Sequence, residues 1–176
     1  ADAVTAAAAR FVGDIEQRPP AVSAIKVEGK RAYARARAGE DVVLALRKVH
    51  VAEFDVLDVR KSMEADAVDV DLAVTCSSGT YVRALARDLG EALGVGGHLT
   101  ALRRTRVGAF DLAHAHSLSE LAERFTCTPL DDVAAAAFAR RDLDADDAAR
   151  LAHGGRLVAS GLGAEPVAAF GPDGVF

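Results

Sequence analysis

Residues 67–97 combine two hydrophobic periods, and this limits how the chain can fold. Over the first ten of these residues apolar side chains alternate with polar or small ones; the apolar positions are Val68, Val70, Leu72, Val74 and Cys76. This period of two predicts a strand over residues 67–76 with one buried and one solvated face, as is typical of an antiparallel sheet. Cys76 falls on the buried register, so we interpret it as a small core residue.

The small-residue turn at residues 77–80 changes the apolar period to that of a helix. Residues up to about 93 place five apolar side chains on one helical face: Val82, Leu85, Ala86, Leu89 and Leu93. Ser78 or Thr80 is placed to cap the first amides of this helix. A glycine-rich stretch at residues 94–97 ends it. A second strand is then predicted over residues 98–107, which carry Arg103, Arg104 and Arg106.

The other segments extend this pattern to an α+β fold. Helices are predicted over residues 3–12 (closed by Gly13 as its C-cap), 31–38, 117–124 (with a capping box from Ser117 to Glu120), 131–139 and 144–153. Strands are predicted over residues 21–27, 42–46, 49–60 and 167–170, and the prolines extend residues 17–20. We expect a mixed, mainly antiparallel sheet with flanking helices.

The composition excludes several classes of protein. At 176 residues and 51% hydrophobic, the chain can bury a core, and no apolar run is long enough to span a membrane. Cys76 and Cys127 are far apart and in no metal-ligand spacing, which indicates a reducing cytoplasm and no metal. The chain opens without Met and closes directly after a turn at residues 171–174. We therefore interpret both ends as cut.

The net charge of −5 hides two basic segments. Residues 17–48 hold 8 Lys or Arg against 3 Asp or Glu, a local charge of +5, and residues 81–110 hold 5 against 2, a local charge of +3. Two basic islands in an acidic chain indicate a localised anionic partner. Charge alone leaves open the simpler interpretation that both are solvated faces without a partner.

The candidate chemistry lies at the start of the helix that follows residue 80. Tyr81 and Arg83 place an aromatic face and a fixed cation there, which is useful for gripping a nucleotide. The turn before them could also bind phosphate, but it lacks the Gly and Lys pattern of a P-loop. No Ser-His-Asp or Cys-His grouping follows from the spacing.

Two motifs together make the chain resemble the TruB family of tRNA pseudouridine synthases, of the actinobacterial kind. The first is QRPPAVSAIKVEGKRAY at residues 17–33 followed by ARAG at 36–39. The second is CSSGTYVR at residues 76–83, continuing through DLG at 88–90, LRRT at 102–105 and GAF at 108–110. The resemblance covers nearly the whole chain. It departs at Val22, where the family commonly has a tyrosine.

The resemblance implies the C-terminal part of a pseudouridine synthase fold at residues 1–140 and the beginning of a PUA-like RNA-binding domain at residues 141–176. It implies an enzyme, without metal or organic cofactor, that isomerises uridine-55 in the T-loop of tRNA. Residues 17–46 resemble the family's thumb, which closes on the T-stem-loop. Tyr81 matches the aromatic that stacks on the flipped uracil, and Leu102 matches a residue that lines the same pocket. Arg83 matches the arginine that pairs with the catalytic aspartate. The predicted RNA contacts are Lys26, Lys30, Arg31, Tyr33, Arg35, Arg103 and Arg104.

One departure from the family bears on activity. The family's nucleophilic aspartate lies in a Gly-Thr-Leu-Asp-type motif, and none of these residues stands in such a context. We therefore expect a fragment that lacks the nucleophile and is inactive by itself, from a parent protein that is a monomer when intact. Two alternatives stay open: a stand-alone RNA-binding module without catalysis, and an enzyme that binds a phosphate ligand at residues 77–80.

Overall fold

The structure is a computed structural model that describes residues 1–20, 26–27, 30–31, 37, 44–63, 66–159 and 161–176. It forms two compact units, Ala1–Leu102 and Arg103–Phe176. Among the described helices, none is both long and apolar enough to cross a membrane. The expected mixture of helices with mainly antiparallel strands is confirmed. The assignment of residues 1–140 and 141–176 to two domains stays a prediction.

The first unit is built on a three-stranded antiparallel sheet. Its elements in chain order are α1 (Asp2–Ala8), β1 (Gly13–Gln17), β2 (Lys26–Val27), β3 (Lys30–Arg31), β4 (Arg47–Lys61), β5 (Val68–Cys76) and α2 (Val82–Ala92). The central strand is β4, which pairs antiparallel with β1 along one edge and with β5 along the other. The strand and the helix predicted around residue 80 are therefore confirmed as β5 and α2.

Two bulges let the long strand β4 keep one face toward the core. Its buried and half-buried side chains are spaced by 2, 3, 2 and 3 residues: Val49, Val51, Phe54, Val56 and Val59. The pairing with β5 shifts between Val51 and Glu53 and again between Val56 and Asp58, so β4 carries an extra residue at each place. Without these extra residues, each spacing of three would turn the following apolar side chains to the opposite face of the sheet.

The inner face of this sheet packs against α1 and α2. The fully buried cluster consists of Ala7, Ala8, Val51, Phe54, Leu85 and Leu89. Phe11 adds an edge-on contact to Phe54, with ring centroids 5.9 Å apart. Leu72, Val74 and Cys76 of β5 pack against the same cluster, which agrees with the core role predicted for Cys76. Because both helices bury apolar side chains on one sheet face, their positions relative to the strands are fixed.

The end of α2 depends on close contact between glycines. Gly94 and Gly96 adopt positive φ angles of 74°, which turns the chain back along the helix. The carbonyl of Gly90 accepts hydrogen bonds from the N–H groups of Val95 and Gly96, both at 3.0 Å. A Cβ atom on Gly90 would lie 2.1 Å from the carbonyl carbon and oxygen of Gly96, so the returning loop requires glycine at this helical position.

Several predicted boundaries in the first unit were wrong. The first helix ends at Ala8 and continues as a 3₁₀ turn over Ala9–Phe11, while Gly13 opens β1 because residues 13–17 pair with β4. Arg31 lies in β3 rather than starting a helix, although Arg37 is helical. Residues 44–46 are irregular, and the rest of the strand predicted over 42–46 lies outside the described residues.

The second unit is smaller and mixed. Its elements are β6 (Arg106–Val107), β7 (Phe110–Asp111), a 3₁₀ turn (Leu112–His114), α3 (Leu118–Glu123), α4 (Leu130–Ala137), β8 (Ala139–Asp142), α5 (Ala145–Ala152) and β9 (Val167–Phe170). The pair β6–β7 is antiparallel, whereas β8 and β9 pair in parallel. The strand predicted over residues 98–107 was wrong except for its last two residues. Among the described residues only Arg106 and Val107 of that segment find a partner strand.

Two helix starts of the second unit, those of α3 and α5, follow their sequence signals. Ser117 accepts from the N–H of Glu120, and the Glu120 carboxylate accepts from the N–H of Ser117, which confirms the capping box. These hydrogen bonds from Ser117 hold the pKa of Glu120 below its usual value. Asp144 caps α5 through the N–H of Asp147. A small core forms from Ala134, Ala168 and Phe170, and the Arg140 guanidinium lies 3.8 Å from the ring centroid of Phe170.

The contact between Gly90 and the returning loop predicts an inverted effect for a common stabilising change. Replacing a helical glycine by alanine normally stabilises a protein by up to about 1 kcal/mol. Gly90→Ala should instead lower the free energy of unfolding by about 1–3 kcal/mol, because its methyl group overlaps the backbone of Gly96. Urea unfolding followed by far-UV circular dichroism measures the change. Glu91→Ala, at the exposed neighbouring position, is the matched control and should stay within about 0.5 kcal/mol. A stabilised Gly90→Ala variant would contradict the close approach.

Candidate functional site

The turn that leads from β5 into α2 is tied to the central strand. The N–H of Ser77 donates to the carbonyl of His50 at 2.8 Å, and the N–H of His50 donates to the Ser77 hydroxyl at 3.0 Å. Gly79 has a φ of 84°, which allows the sharp change of direction. The point where the chain enters α2 is therefore fixed relative to β4.

The prediction that Ser78 or Thr80 caps this helix was wrong. The N-cap residue is Tyr81, with an extended backbone at φ −95° and ψ 100°, and it makes no side-chain cap hydrogen bond. Thr80 instead lies 3.4 Å from the Ser77 hydroxyl, within the turn. The Tyr81 carbonyl accepts from the N–H groups of Ala84 and Leu85, at 2.9 and 3.1 Å, so the first helical turn closes on the tyrosine itself.

A residue that sequence reasoning gave no role, Gln17, holds the backbone of Tyr81. The Gln17 side-chain oxygen accepts from the Tyr81 N–H at 2.8 Å, and its NH₂ group donates to the Tyr81 carbonyl at 3.1 Å. Gln17 is only 1% exposed. Strand β1 was not predicted, and without it the inward register shared by Ile15 and Gln17 could not be seen. The signal that could have identified Gln17 is its place on this inward register, where an apolar residue is expected.

A second tie joins the same two elements further along the helix. The Arg87 guanidinium donates to the carbonyl of Arg18 at 2.9 Å and is also bound by the Asp88 carboxylate. Pro19, the next residue along, is buried. The chain that leaves β1 is thus attached to α2 at Tyr81 and at Arg87.

Tyr81, which was predicted to stack on the uracil, and Arg83, which was predicted to pair with the catalytic aspartate, lie at this fixed helix entrance. Tyr81 is half-buried, and Arg83 is exposed in the first turn of α2. A helix start carries partial positive charge, which together with a guanidinium favours an anionic group such as a carboxylate. The arrangement can therefore offer an aromatic surface beside a site that attracts a carboxylate.

The other predicted site residues are distributed over the two units and the segment at residues 17–46. Leu102 is the last residue of the first unit and is 62% exposed. Arg103 and Arg104 are exposed and begin the second unit, ahead of β6. Within residues 17–46, the backbones of Lys26 and Arg31 lie opposite each other across β2 and β3, with Lys30 one position along. Tyr33 and Arg35 lie outside the described residues.

The outer face of the first unit's sheet is strongly acidic. On the outward register of β1, β4 and β5 lie seven carboxylates and only two permanent cations, Lys48 and Arg60; the carboxylates are Asp14, Glu16, Glu53, Asp55, Asp58, Asp69 and Asp71. Hydrogen bonds from Arg60, at 2.6 and 3.1 Å, hold the pKa of Asp71 below its usual value. Since phosphates are repelled by such a face, it disfavours nucleic acid.

The part of the chain that the structure describes contains no group of three or more His, Cys, Asp or Glu side chains that could hold a metal ion. Both cysteines are free; Cys76 is half-buried and Cys127 exposed.

Comparison with known families accounts for the chain from end to end. Residues 1–82 match the family model described as "TruB family pseudouridylate synthase (N terminal domain)". Residues 83–145 match "tRNA pseudouridylate synthase B C-terminal domain", and residues 138–176 match "tRNA Pseudouridine synthase II, C terminal".

Curated relatives agree with these family models. The chain is 51% identical to a protein named tRNA pseudouridine synthase B from Arthrobacter sp. and 56% identical to one from Thermobifida fusca, over 98% of this chain in each case. A protein of the same name from Streptomyces griseus is 49% identical, again over 98% of the chain. The chain spans 59% of the length of each of these relatives. Because consecutive models of one family match all of its residues, and relatives about half identical align along nearly its whole length, the chain belongs to the TruB family of pseudouridylate synthases.

Proposed function

We propose that this chain supplies the uridine-stacking side of the active site, and part of the RNA-binding surface, of a tRNA pseudouridine synthase that acts on uridine-55 in the T-loop. The observation that carries the proposal is the helix entrance at Tyr81 and Arg83, held from both sides by β1 and β4. It occurs in a chain whose relatives are named tRNA pseudouridine synthase B.

The reaction sets two physical requirements: a surface on which the flipped uracil can stack, and a group that holds the catalytic carboxylate. Uracil must leave the base stack, be released at N1 and be rejoined to the ribose through C5; the C5 proton leaves and N1 gains one. A flipped base loses a few kcal/mol of stacking, which an aromatic surface such as Tyr81 can return. The Arg83 guanidinium can hold a carboxylate with two parallel hydrogen bonds. Its proposed partner is the nucleophilic aspartate, supplied by residues outside 1–176, so that residues 1–176 alone are inactive.

The finer assignments complete the proposal. Leu102 lines the uracil pocket, and residues 17–46 act as the thumb that closes on the T-stem-loop. The proposed RNA contacts are Lys26, Lys30, Arg31, Tyr33, Arg35, Arg103 and Arg104. Residues 141–176 begin a PUA-like RNA-binding domain, and the intact protein is a cytoplasmic monomer. The acidic outer sheet face supports an RNA path that avoids it.

Stacking on Tyr81 predicts a loss of affinity without a loss of salt dependence. Tyr81→Ala should weaken binding of a T-stem-loop RNA by about 1–3 kcal/mol, with the slope of log affinity against log salt unchanged. Fluorescence anisotropy at several salt concentrations measures both. Tyr81→Phe keeps the ring and is the matched control. A Tyr81→Ala variant that changes only the salt slope would show that the tyrosine does not stack.

The two arginines that begin the second unit should behave in the opposite way. Replacing Arg103 and Arg104 together by glutamine should reduce the magnitude of the salt slope by roughly 1.4–1.8, because each phosphate contact contributes about 0.7–0.9. Exposed Arg10 and Arg124, changed to glutamine together, form a control with the same loss of charge and should leave the slope nearly unchanged. Equal reductions in both double variants would indicate a diffuse charge effect instead of contacts at 103 and 104.

Catalysis is tested by supplying the aspartate. The chain is mixed or fused with the aspartate-bearing segment of a close relative, and pseudouridine formation in a T-stem-loop RNA is assayed. Arg83→Ala should lower the rate about a hundredfold or more, since a positioned charged donor is lost. Arg83→Lys should restore only part, because it lacks the bidentate geometry.

Exposed Arg10→Ala, in the same unit, is the control and should keep the parent rate. A folded assembly that binds the RNA but never forms pseudouridine would favour a stand-alone RNA-binding module. Saturable binding of a free nucleotide would favour the phosphate-ligand enzyme.

A further inference from the structure

Among the described residues, Gln17 is the only polar side chain that is fully buried. Burying a primary amide costs free energy unless its groups are hydrogen-bonded. Its oxygen and its NH₂ group each make a hydrogen bond, and both bonds go to one residue: the N–H and the carbonyl of Tyr81. An apolar side chain of the same length would fill this space without the desolvation cost. The choice of an amide is therefore explained by the backbone that it holds.

We propose that Gln17 is a positioning residue for Tyr81, which fixes the tyrosine backbone on both sides of its Cα so that the ring is presented in one orientation. The Tyr81 N–H precedes the helix and is one of the amides that a helix cannot satisfy internally. Gln17 supplies its acceptor from a neighbouring strand. With both peptide groups held, only the two side-chain torsions of the tyrosine stay free, which is a smaller ordering cost when a base stacks on it.

The position of Gln17 in the chain extends this role to the proposed thumb. Gln17 is the last residue of β1, and the following carbonyl, that of Arg18, is bound by Arg87 at 2.9 Å. The start of residues 17–46 is therefore attached to the backbone of Tyr81 and, one residue later, to the side chain of Arg87. The inference rests on the proposed function in one respect, which is that Tyr81 stacks on the target base.

The test uses the fact that the chain has two tyrosines and no tryptophan. Labelling with 3-fluorotyrosine gives two ¹⁹F NMR signals, and Tyr33→Phe assigns the one from Tyr81. In the parent chain this signal should be single and narrow without RNA. In Gln17→Met, which keeps the length but makes neither hydrogen bond, it should broaden or divide. Affinity for a T-stem-loop RNA should fall about threefold to tenfold, with the salt slope unchanged.

A general loss of stability is separated from loss of positioning by Phe54→Leu. Phe54 lies in the hydrophobic core of the same unit, where its ring packs edge-on against Phe11, and it makes neither of the hydrogen bonds by which Gln17 holds the Tyr81 backbone. This variant should be destabilised yet keep the parent Tyr81 signal. An unchanged Tyr81 signal in Gln17→Met, or the same broadening in Phe54→Leu, would overturn the proposal.

Gln17→Glu gives a second measurement that does not depend on the methionine variant being folded. When the carboxyl is protonated it can accept from the Tyr81 N–H and donate to the Tyr81 carbonyl, as the amide does. Burial raises the pKa of a carboxyl, so recovery should begin at a mildly acidic pH. The Tyr81 signal should narrow as the pH falls, and no narrowing would overturn the proposal.

The failure of the inference and the failure of the proposed function are distinguishable. The ¹⁹F signal is recorded without RNA and tests only whether Gln17 orders Tyr81. The Tyr81→Ala binding measurement tests only whether that ring contacts RNA. A narrow, Gln17-dependent signal together with full RNA affinity in Tyr81→Ala would keep the positioning role and reject the stacking role.

Discussion

The structure of the first unit depends on the burial of one sheet face against two helices. Val51 and Phe54 of β4 belong to one buried cluster with Leu85 and Leu89 of α2. At about 25 cal/mol per Å² of apolar surface removed from water, contacts of this kind are the main force that places α2 on the sheet. Where the helix lies determines where its first residue lies, so the position of Tyr81 follows from packing about one helical turn away.

Packing places the helix, but hydrogen bonds place its entrance. Apolar contacts have little directional preference and tolerate small rotations of a helix about its axis. The paired bonds between Gln17 and Tyr81 do not, because donor and acceptor must both be aligned. Together with the bonds between Ser77 and His50, they define the entrance from two strands at once. Such a fixed backbone suits the base stacking that we propose for Tyr81.

The sequence predicts the elements that have one clear period and misses those that pairing creates. The alternation of apolar residues predicts strand β5, and the apolar stripe predicts helix α2. The capping residues Ser117 and Glu120 predict the start of α3. Strand β1 was missed because its five residues have no strong pattern and form a strand through pairing with β4. Strand β8 was missed for the same reason, whereas its parallel partner β9 was predicted over residues 167–170 and is confirmed. The spacing of 2, 3, 2 and 3 in β4 does encode its bulges, since only an extra residue keeps Val51 and Phe54 on one face.

The same distinction applies to the candidate site: some of its residues can be predicted from residue type alone, and others only from the register of a strand. Tyr81 and Arg83 attract attention by their chemistry, whereas Gln17 does so only once β1 places it inward beside Ile15. Gln17 and buried Pro19 also belong to the first of the two motifs that carry the family resemblance. Since the Gln17 side chain is hydrogen-bonded to the backbone of Tyr81 in the second motif, part of the first motif serves to hold the second in place. The family likeness of this chain therefore includes a contact between its two motifs.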